Sequence, residues 1–312
     1  MTPHACAEIS VAIATRDRPE LLARLLEALR AGDLHPREVV VVDQSGDDRS
    51  ERISRERASG NLEIRYVRDY GKGLASAQNR AFSHAQCPVI AVTDDDCVPA
   101  ADWLAVMENR FSAERELGAL TGPVFPLPAD DADLVPVSTR TSPLVRTFSG
   151  RHVPWEVGSG NNFAVRREWL EIVRGNDERL GPGASGQGGV DMDLFYRLLR
   201  SGARIRYDPA CLVQHAKATK EERLARRAPY GHGIGADVAI WLREGDLFAL
   251  WVLARWLAMR LRRLGAGVRR RDRTLAYEEA LVLGGTARGL LFGLRAGRER
   301  PTSYGRPPPP TE

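Results

Sequence analysis

Cysteine is scarce in this chain and shows no metal-binding pattern. Cys6, Cys87, Cys97 and Cys211 are scattered, with no Cys-x-x-Cys pair among them. That spacing counts against a zinc cluster, and reduced cytosolic thiols are the simplest account. Residues Met1 to Ser10 hold neither a basic start nor a long apolar stretch, so no signal peptide is expected. No apolar run reaches the ~20 uninterrupted residues that a membrane-spanning helix needs. No internal repeat is visible, and no recognised nucleic-acid-binding module, so nucleic acid is not an expected partner. The first strand-to-helix turn lacks Gly-x-Gly-x-x-Gly, which counts against a dinucleotide-dependent oxidoreductase.

What is present suits a globular protein. Hydrophobic residues make up 43% and charged residues 28% of the 312 positions, both ordinary values. The length allows one large domain, or a domain with an appendage. The net charge of +4 hides an asymmetry. From residue 216 onward, 19 Lys and Arg face 10 Asp and Glu, a balance of +9; residues 1–215 hold 26 against 31, a balance of −5. The acidic part suits a metal ion and a phosphorylated donor, the basic part an anionic surface.

Along the chain, Ile9 to Ala14 reads as a buried strand, followed by the turn Arg16-Asp17-Arg18-Pro19. Asp17 is the expected cap of a helix begun by Pro19, in which Leu21, Leu22, Leu25, Leu26 and Leu29 recur at helical spacing until Gly32 ends it. Further strands are expected at 38–42, 62–67, 88–93 and 203–207, with helices at 49–58, 73–85 and 191–200 and another starting near Arg166. Strands alternating with helices argue a parallel sheet flanked by helices. Residues 121–160, rich in Pro, Gly, Ser and Thr, read as loops and short strands beside the site.

The carboxylates carry the chemistry. Asp94-Asp95-Asp96 closes the apolar run Pro88 to Thr93. In an open α/β sheet, ligands bind at the carboxyl ends of the strands. Three adjacent carboxylates there repel one another, and a hard divalent ion bridging them to substrate phosphates would offset the charge. A solvated acidic turn before a helix opened by Asp102 and Trp103 is the structural alternative. Asp43 closes the second strand and Asp191 opens a helix after a glycine-rich loop, Gly181 to Gly189. That loop reads either as a lid over the site or as a plain flexible connection. Strand ends collect on one edge, so Asp43 and the triplet are expected to converge. Asp193 lies roughly 200° from Asp191 around the helix, so both cannot point at one atom; capping the helix, or pairing with Arg197 at i+4, suits it better.

Taken in order, four segments resemble the successive motifs of family-two glycosyltransferases: Val11-Ala12-Ile13-Ala14-Thr15-Arg16-Asp17-Arg18-Pro19, Val40-Val41-Val42-Asp43-Gln44-Ser45, Thr93-Asp94-Asp95-Asp96 and Gly189-Val190-Asp191-Met192-Asp193-Leu194. Arg179-Leu180-Gly181, and Tyr207-Asp208-Pro209 with His215, fit the same pattern, so the resemblance covers roughly residues 8–216. It implies the GT-A fold: a Rossmann-like, mostly parallel central sheet flanked by helices. It implies transfer of a sugar, with inversion, from a nucleotide-diphosphate donor to a hydroxyl acceptor (a saccharide, a lipid-linked molecule or a small molecule). Mn²⁺ or Mg²⁺ would be the cofactor. Thr15 would line the nucleoside pocket and Asp43 would accept a hydrogen bond from the base. Asp94 and Asp96 match the Asp-x-Asp motif: Asp94, with Asp95, on the donor side or near the metal, and Asp96 as direct metal ligand. His215 would be a metal or diphosphate contact, and Asp191 the general base. Two positions depart from the family pattern. Val190 stands where an acidic residue is common, and Ala77-Gln78-Asn79 where many members have Ala-Arg-Asn.

Beyond residue 216, Leu250, Leu253, Leu257, Leu261 and Leu264 form one apolar helical stripe, with Arg255, Arg260, Arg262 and Arg263 on the other side and a cationic cluster at 269–273. With Trp251 and Trp256 this fits interfacial binding to an anionic membrane; packing on the catalytic domain, or dimerisation, fits it as well. The expected organisation is a GT-A domain at 1–216, split near 120 into nucleotide-sugar and acceptor halves, a basic helical extension at 217–300 and a disordered tail at 301–312. The expected location is cytoplasmic, with a peripheral place at the inner face of the membrane. A non-catalytic sugar-nucleotide-binding or scaffold protein on the same fold is the alternative.

Overall fold

Valine-rich runs become the central strands because both faces of a helix-covered parallel sheet are buried. The computed structural model describes residues 6–58, 62–128, 133–297 and 299–305. Strands β1 (Cys6–Thr15), β2 (His35–Asp43), β3 (Ile64–Arg68) and β4 (Val89–Val92) alternate with helices α1 (Pro19–Arg30), α2 (Arg49–Arg57) and α3 (Leu74–His84). Then come β5 (Cys97–Pro99), α4 (Trp103–Ala113), β6 (Leu117–Thr121), β7 (Val124–Pro126), β8 (Arg146–Phe148), β9 (Phe163–Arg166), α5 (Arg167–Val173), α6 (Val190–Arg200), β10 (Arg204–Tyr207) and β11 (Val213–His215).

The main sheet has the order β3-β2-β1-β4-β9-β6-β10-β8. Its first four strands are parallel, but β9 runs against both β4 and β6, and β8 against β10. The sheet is therefore mixed, with the parallel part confined largely to its N-terminal strands. A second sheet, β5-β11-β7, lies beside it.

Alternation along each strand divides the core. Val11, Ile13, Val39 and Val41 pack with Leu22, Leu25 and Leu26 of α1 and Trp103 of α4. Ala12, Val40 and Val42 pack on the other side with Phe82 of α3 and Leu194 and Leu198 of α6. Each such Val or Leu stabilises the fold by about 1.5–3 kcal/mol. Asp17 does not cap α1: it lies at φ +55°, the cap position falls to Arg18, and the Asp17 carboxylate accepts the Gly46 N–H at 3.3 Å. Helix α1 ends at Arg30, before Gly32.

Among the described residues, four helices follow: α7 (Lys220–Ala225), α8 (Arg227–Arg243), α9 (Phe248–Arg270) and α10 (Arg273–Arg295). They share a core with the sheet domain. Tyr196 of α6 stacks on Trp241 of α8 at 3.7 Å between ring centroids, and Trp241 Nε1 donates to Asp193 at 2.9 Å. Trp256, expected at a membrane surface, is fully buried against Trp155, Tyr230 and Arg260. Arg260, expected on the solvated face of α9, is buried as well. Among the described residues, no helix is long and apolar enough to cross a membrane. Residues 301–303, expected in a disordered tail, are held in place: Pro301 accepts the Glu178 N–H, and Thr302 and Ser303 bond Asn79 and Glu178. Residues 306–312 lie outside the described residues.

Candidate active site

The site is assembled from element ends. Thr15 ends β1, Asp94 to Asp96 follow β4, and Asp191 stands in the first turn of α6. His215 ends β11, whose antiparallel pairing with β5 sets it opposite Cys97 and so beside Asp96. These residues line one crevice of about 1500 Å³.

Within it, Thr15 Oγ1 donates to Asp95 Oδ2 at 2.8 Å. The Arg18 guanidinium bonds Asp95 Oδ1 at 3.2 Å and Asp96 Oδ2 at 3.3 Å. Arg18 was not singled out from the sequence, although its place just after β1 was the available signal. Burial, followed by the charges of Asp96, Asp95 and Asp191, pushes the Asp94 carboxyl well above the usual range; Arg18 offsets only part of this. Burial likewise raises Asp95, against the pull of Arg18. The triad carries more negative charge than its surroundings neutralise.

Asp43 is the residue the crevice does not receive. It is fully buried: Ser45 N–H at 2.8 Å and the Ser45 hydroxyl occupy one oxygen, and the Tyr66 hydroxyl at 2.7 Å the other. Fully buried and held by these donors, Asp43 does not line the crevice where the expected hydrogen bond to a nucleotide base would form. Gln44, the next residue, reaches the crevice in its place.

Asp191 Oδ2 accepts the Gly160 N–H at 2.9 Å. Only glycine fits at 160, since a Cβ there would sit 2.9 Å from the Asp191 Cβ. Burial raises the Asp191 carboxyl, and bonds from the Met192 and Gly160 backbone limit the rise. A carboxylate held by backbone donors, facing a crevice and biased toward taking a proton, has the properties of a general base. Asp193 turns inward to Arg197 at 2.7 Å, as its spacing predicts. The loop from Gly181 to Gly189 lines the crevice but is tied down. Gly186 N–H donates to Arg179 O at 2.7 Å, Gly181 N–H to Gly188 O at 3.0 Å and Leu74 N–H to Pro182 O at 3.0 Å. Its last glycine, at φ +84°, is required because a Cβ would lie 2.4 Å from an Asp237 oxygen.

Asp96, Cys97 and His215 bring ligand atoms within 4.8 Å of one another. Burial, then Asp94 and Asp96, pushes the Cys97 thiol up and so disfavours its thiolate form. His215 Nδ1 bonds the Ala216 carbonyl at 2.6 Å, so it must carry a hydrogen, and Nε2 faces Asp96 Oδ1 at 3.3 Å. A neutral ring would turn its lone pair on that oxygen. A cation shared between them, or a proton on Nε2, removes the repulsion. The oxygen and imidazole donors therefore fit a divalent ion such as Mn²⁺ or Mg²⁺.

The model of Glycosyl transferase family 2 matches residues 10–171, just over half of the chain. The chain is 28% identical over 243 residues to the pre-mycofactocin glycosyltransferase of Mycobacterium tuberculosis, covering 75% of this chain and 48% of that protein. It thus spans about half the length of that relative. It is 23% identical over 284 residues to glycosyltransferase AglE of Haloferax volcanii, covering 86% of this chain and 87% of that one. Among solved structures, it resembles the mannosyltransferase PcManGT from Pyrobaculum calidifontis in complex with GDP-Man and Mn²⁺. The TM-score is 0.63 at 20% identity, over 92% of this chain and 88% of that one. It also resembles S. aureus TarS 1–349 in complex with UDP-GlcNAc, with TM-score 0.55 at 15% identity over 88% and 90% of the chains. These likenesses show the fold, which is GT-A as the motif order implied.

Proposed function

The chain belongs to glycosyl transferase family 2, and on that premise we propose that it moves a sugar from a nucleoside-diphosphate donor to a hydroxyl acceptor with inversion at the anomeric carbon. The observation that carries this reading is the gathering of Thr15, Asp94 to Asp96, Asp191 and His215 in one crevice. In this scheme the acceptor oxygen attacks the anomeric carbon as the bond to the diphosphate oxygen breaks. The electron pair leaves with the nucleoside diphosphate, and the acceptor proton passes to Asp191. One base with no partnering nucleophile suits a single displacement, hence inversion. Thr15, Asp94 and Asp95 bind the donor, with Arg18 against the acidic cluster. Asp96 and His215 would hold a divalent ion, with Asp94 alongside; when bound, it stabilises charge on the leaving diphosphate as a Lewis acid. Asp43, held by Ser45 and Tyr66 outside the crevice, does not touch the base in this scheme; Gln44 lines that side. The exposed face of α9, with Leu250, Trp251, Leu261 and Val268, supports peripheral contact with an anionic membrane at the cytoplasmic side.

The test is Asp191→Asn. The variant should bind donor nucleotide as the wild type does and lose about 10²–10⁴-fold in kcat. Unchanged turnover would defeat the assignment, and a wild type that binds donor without any turnover would favour the non-catalytic alternative.

A further inference from the structure

The wall that the C-terminal helices contribute to the crevice has a charge opposite to that of the Asp triad. Arg223, Arg226, Arg227, Arg260 and Arg263 line it. Arg223 pairs with Glu278 at 2.9 Å, and Arg227 with Glu278 at 3.5 Å and Glu279 at 3.4 Å. Arg260 and Arg263 both turn to Glu279, at 3.3 Å and 2.6 Å. Counting Glu222 at the rim, five arginines face three glutamates, and two positive charges are left over. Arg260 is buried beside Glu279 while Arg223, Arg226 and Arg263 stay accessible, so the surplus charge sits on a wall that an incoming anion can reach and complete.

The wall is also built rather than merely charged. The Arg260 side chain is only 8% exposed, and its guanidinium lies 4.0 Å from the Trp256 ring centroid and 5.4 Å from that of Tyr230. Those rings fix the plane of a fork whose geometry matches phosphate oxygens. The Nε of Arg260 is buried without a hydrogen-bond partner. Tyr230 feels the charges of both Arg260 and Asp191, so this wall adjoins the base. The crevice, at about 1500 Å³, exceeds the ~300–1,000 Å³ of a typical single-ligand pocket, which leaves room for a second substrate beside the donor.

From this juxtaposition we infer that the arginine wall binds a phosphate or diphosphate group carried by the acceptor, and so sets the acceptor hydroxyl beside Asp191. A phosphate dianion matches the two surplus charges; a single carboxylate would not. The inference rests on the transferase reading for the word acceptor, but the anion site itself is testable without turnover.

The probe is inorganic pyrophosphate, titrated calorimetrically without divalent ions into the wild type, Asp96→Asn, Arg263→Gln and Arg223→Gln. Arg263 and Arg223 are half-exposed, so both variants should fold. Pyrophosphate should bind the wild type and Asp96→Asn alike, and about tenfold more weakly to each arginine variant, the cost of one charged hydrogen bond. Nucleoside diphosphate with Mn²⁺ should bind the arginine variants as it binds the wild type. Equal weakening of both ligands would mean that the arginines hold the donor diphosphate, and the inference fails. It fails also if no variant changes pyrophosphate binding. Displacement of pyrophosphate by glucose 6-phosphate would assign a soluble phosphosugar acceptor. Displacement by vesicles containing phosphatidic acid, and not by glucose 6-phosphate, would assign a lipid-linked one; displacement by neither overturns the inference.

Discussion

Asp191 and Asp193 stand two positions apart on α6 and have opposite environments. Asp193 is fully buried; burial disfavours its charge, but Arg197, Arg300 and the Trp241 hydrogen bond outweigh that and hold it below the usual carboxylate range. A carboxyl depressed in the fold contributes stability above its unfolded pKa and loses it as pH falls through the lower folded value. Asp193→Asn should therefore lower the melting temperature, with a loss of about 3–5 kcal/mol for a broken buried pair, while the folded fraction keeps its turnover. Asp191 is raised, so the sign reverses. Its ionised form is the strained one at neutral pH, and that cost disappears as pH falls through its raised pKa. Asp191→Asn should then melt no lower than wild type. In the wild type, kcat should fall on the acid side through a pKa above the ordinary carboxylate range; an acid limb at ~4 would contradict the base role. Helical spacing showed that these two aspartates cannot share a target, and the motif resemblance pointed to Asp191 as the base. The burial of Asp43 was not legible, because the Tyr66 hydroxyl that occupies it comes from a neighbouring strand 23 positions away.

Helices α8 and α10 touch backbone to backbone along a glycine seam. A Cβ at Gly235 would lie 2.2 Å from Thr286 O, and one at Gly289 would lie 1.9 Å from His232 O. Glycines at four-residue spacing permit this approach, yet they lower helix propensity and break up any leucine stripe, which is why α8 escapes a sequence reading. Gly289→Val should destabilise by about 1–3 kcal/mol or more by overpacking, seen as a lower melting temperature. Gly265→Ala on α9, where the new methyl meets nothing within 4 Å, should instead stabilise by about 0.5–1 kcal/mol. The register of α9 also differs from its leucine pattern. The buried face runs through Ala249, Val252, Trp256 and Arg260, leaving Leu250 and Leu261 more than half exposed. Leucine spacing defines an apolar stripe but not which neighbour covers it. Exchanging Trp251 and Leu261 for Ser together should leave the melting temperature nearly unchanged and reduce co-sedimentation with anionic vesicles; undiminished sedimentation would sink the membrane contact.

Taken together, the chain is a crevice between an acidic strand edge and a basic helical wall. The acidic edge was legible because each parallel strand announces itself as an apolar run closed by a carboxylate or hydroxyl, as at Thr15, Asp43 and Asp94. The antiparallel β9 and the arginine wall were not. Arg223 and Arg260 reach the triad's crevice only after a bundle of four helices folds back on α6, a long-range contact that no local pattern encodes. The most telling experiment is a thermal melt of wild type and Asp96→Asn with a panel of nucleoside diphosphates, each with and without Mn²⁺. At least one nucleoside diphosphate should raise the wild-type melting temperature in a Mn²⁺-dependent way, and Asp96→Asn should lose that dependence. No shift with any nucleotide, or a Mn²⁺-dependent shift that survives in Asp96→Asn, would contradict a donor site at this triad.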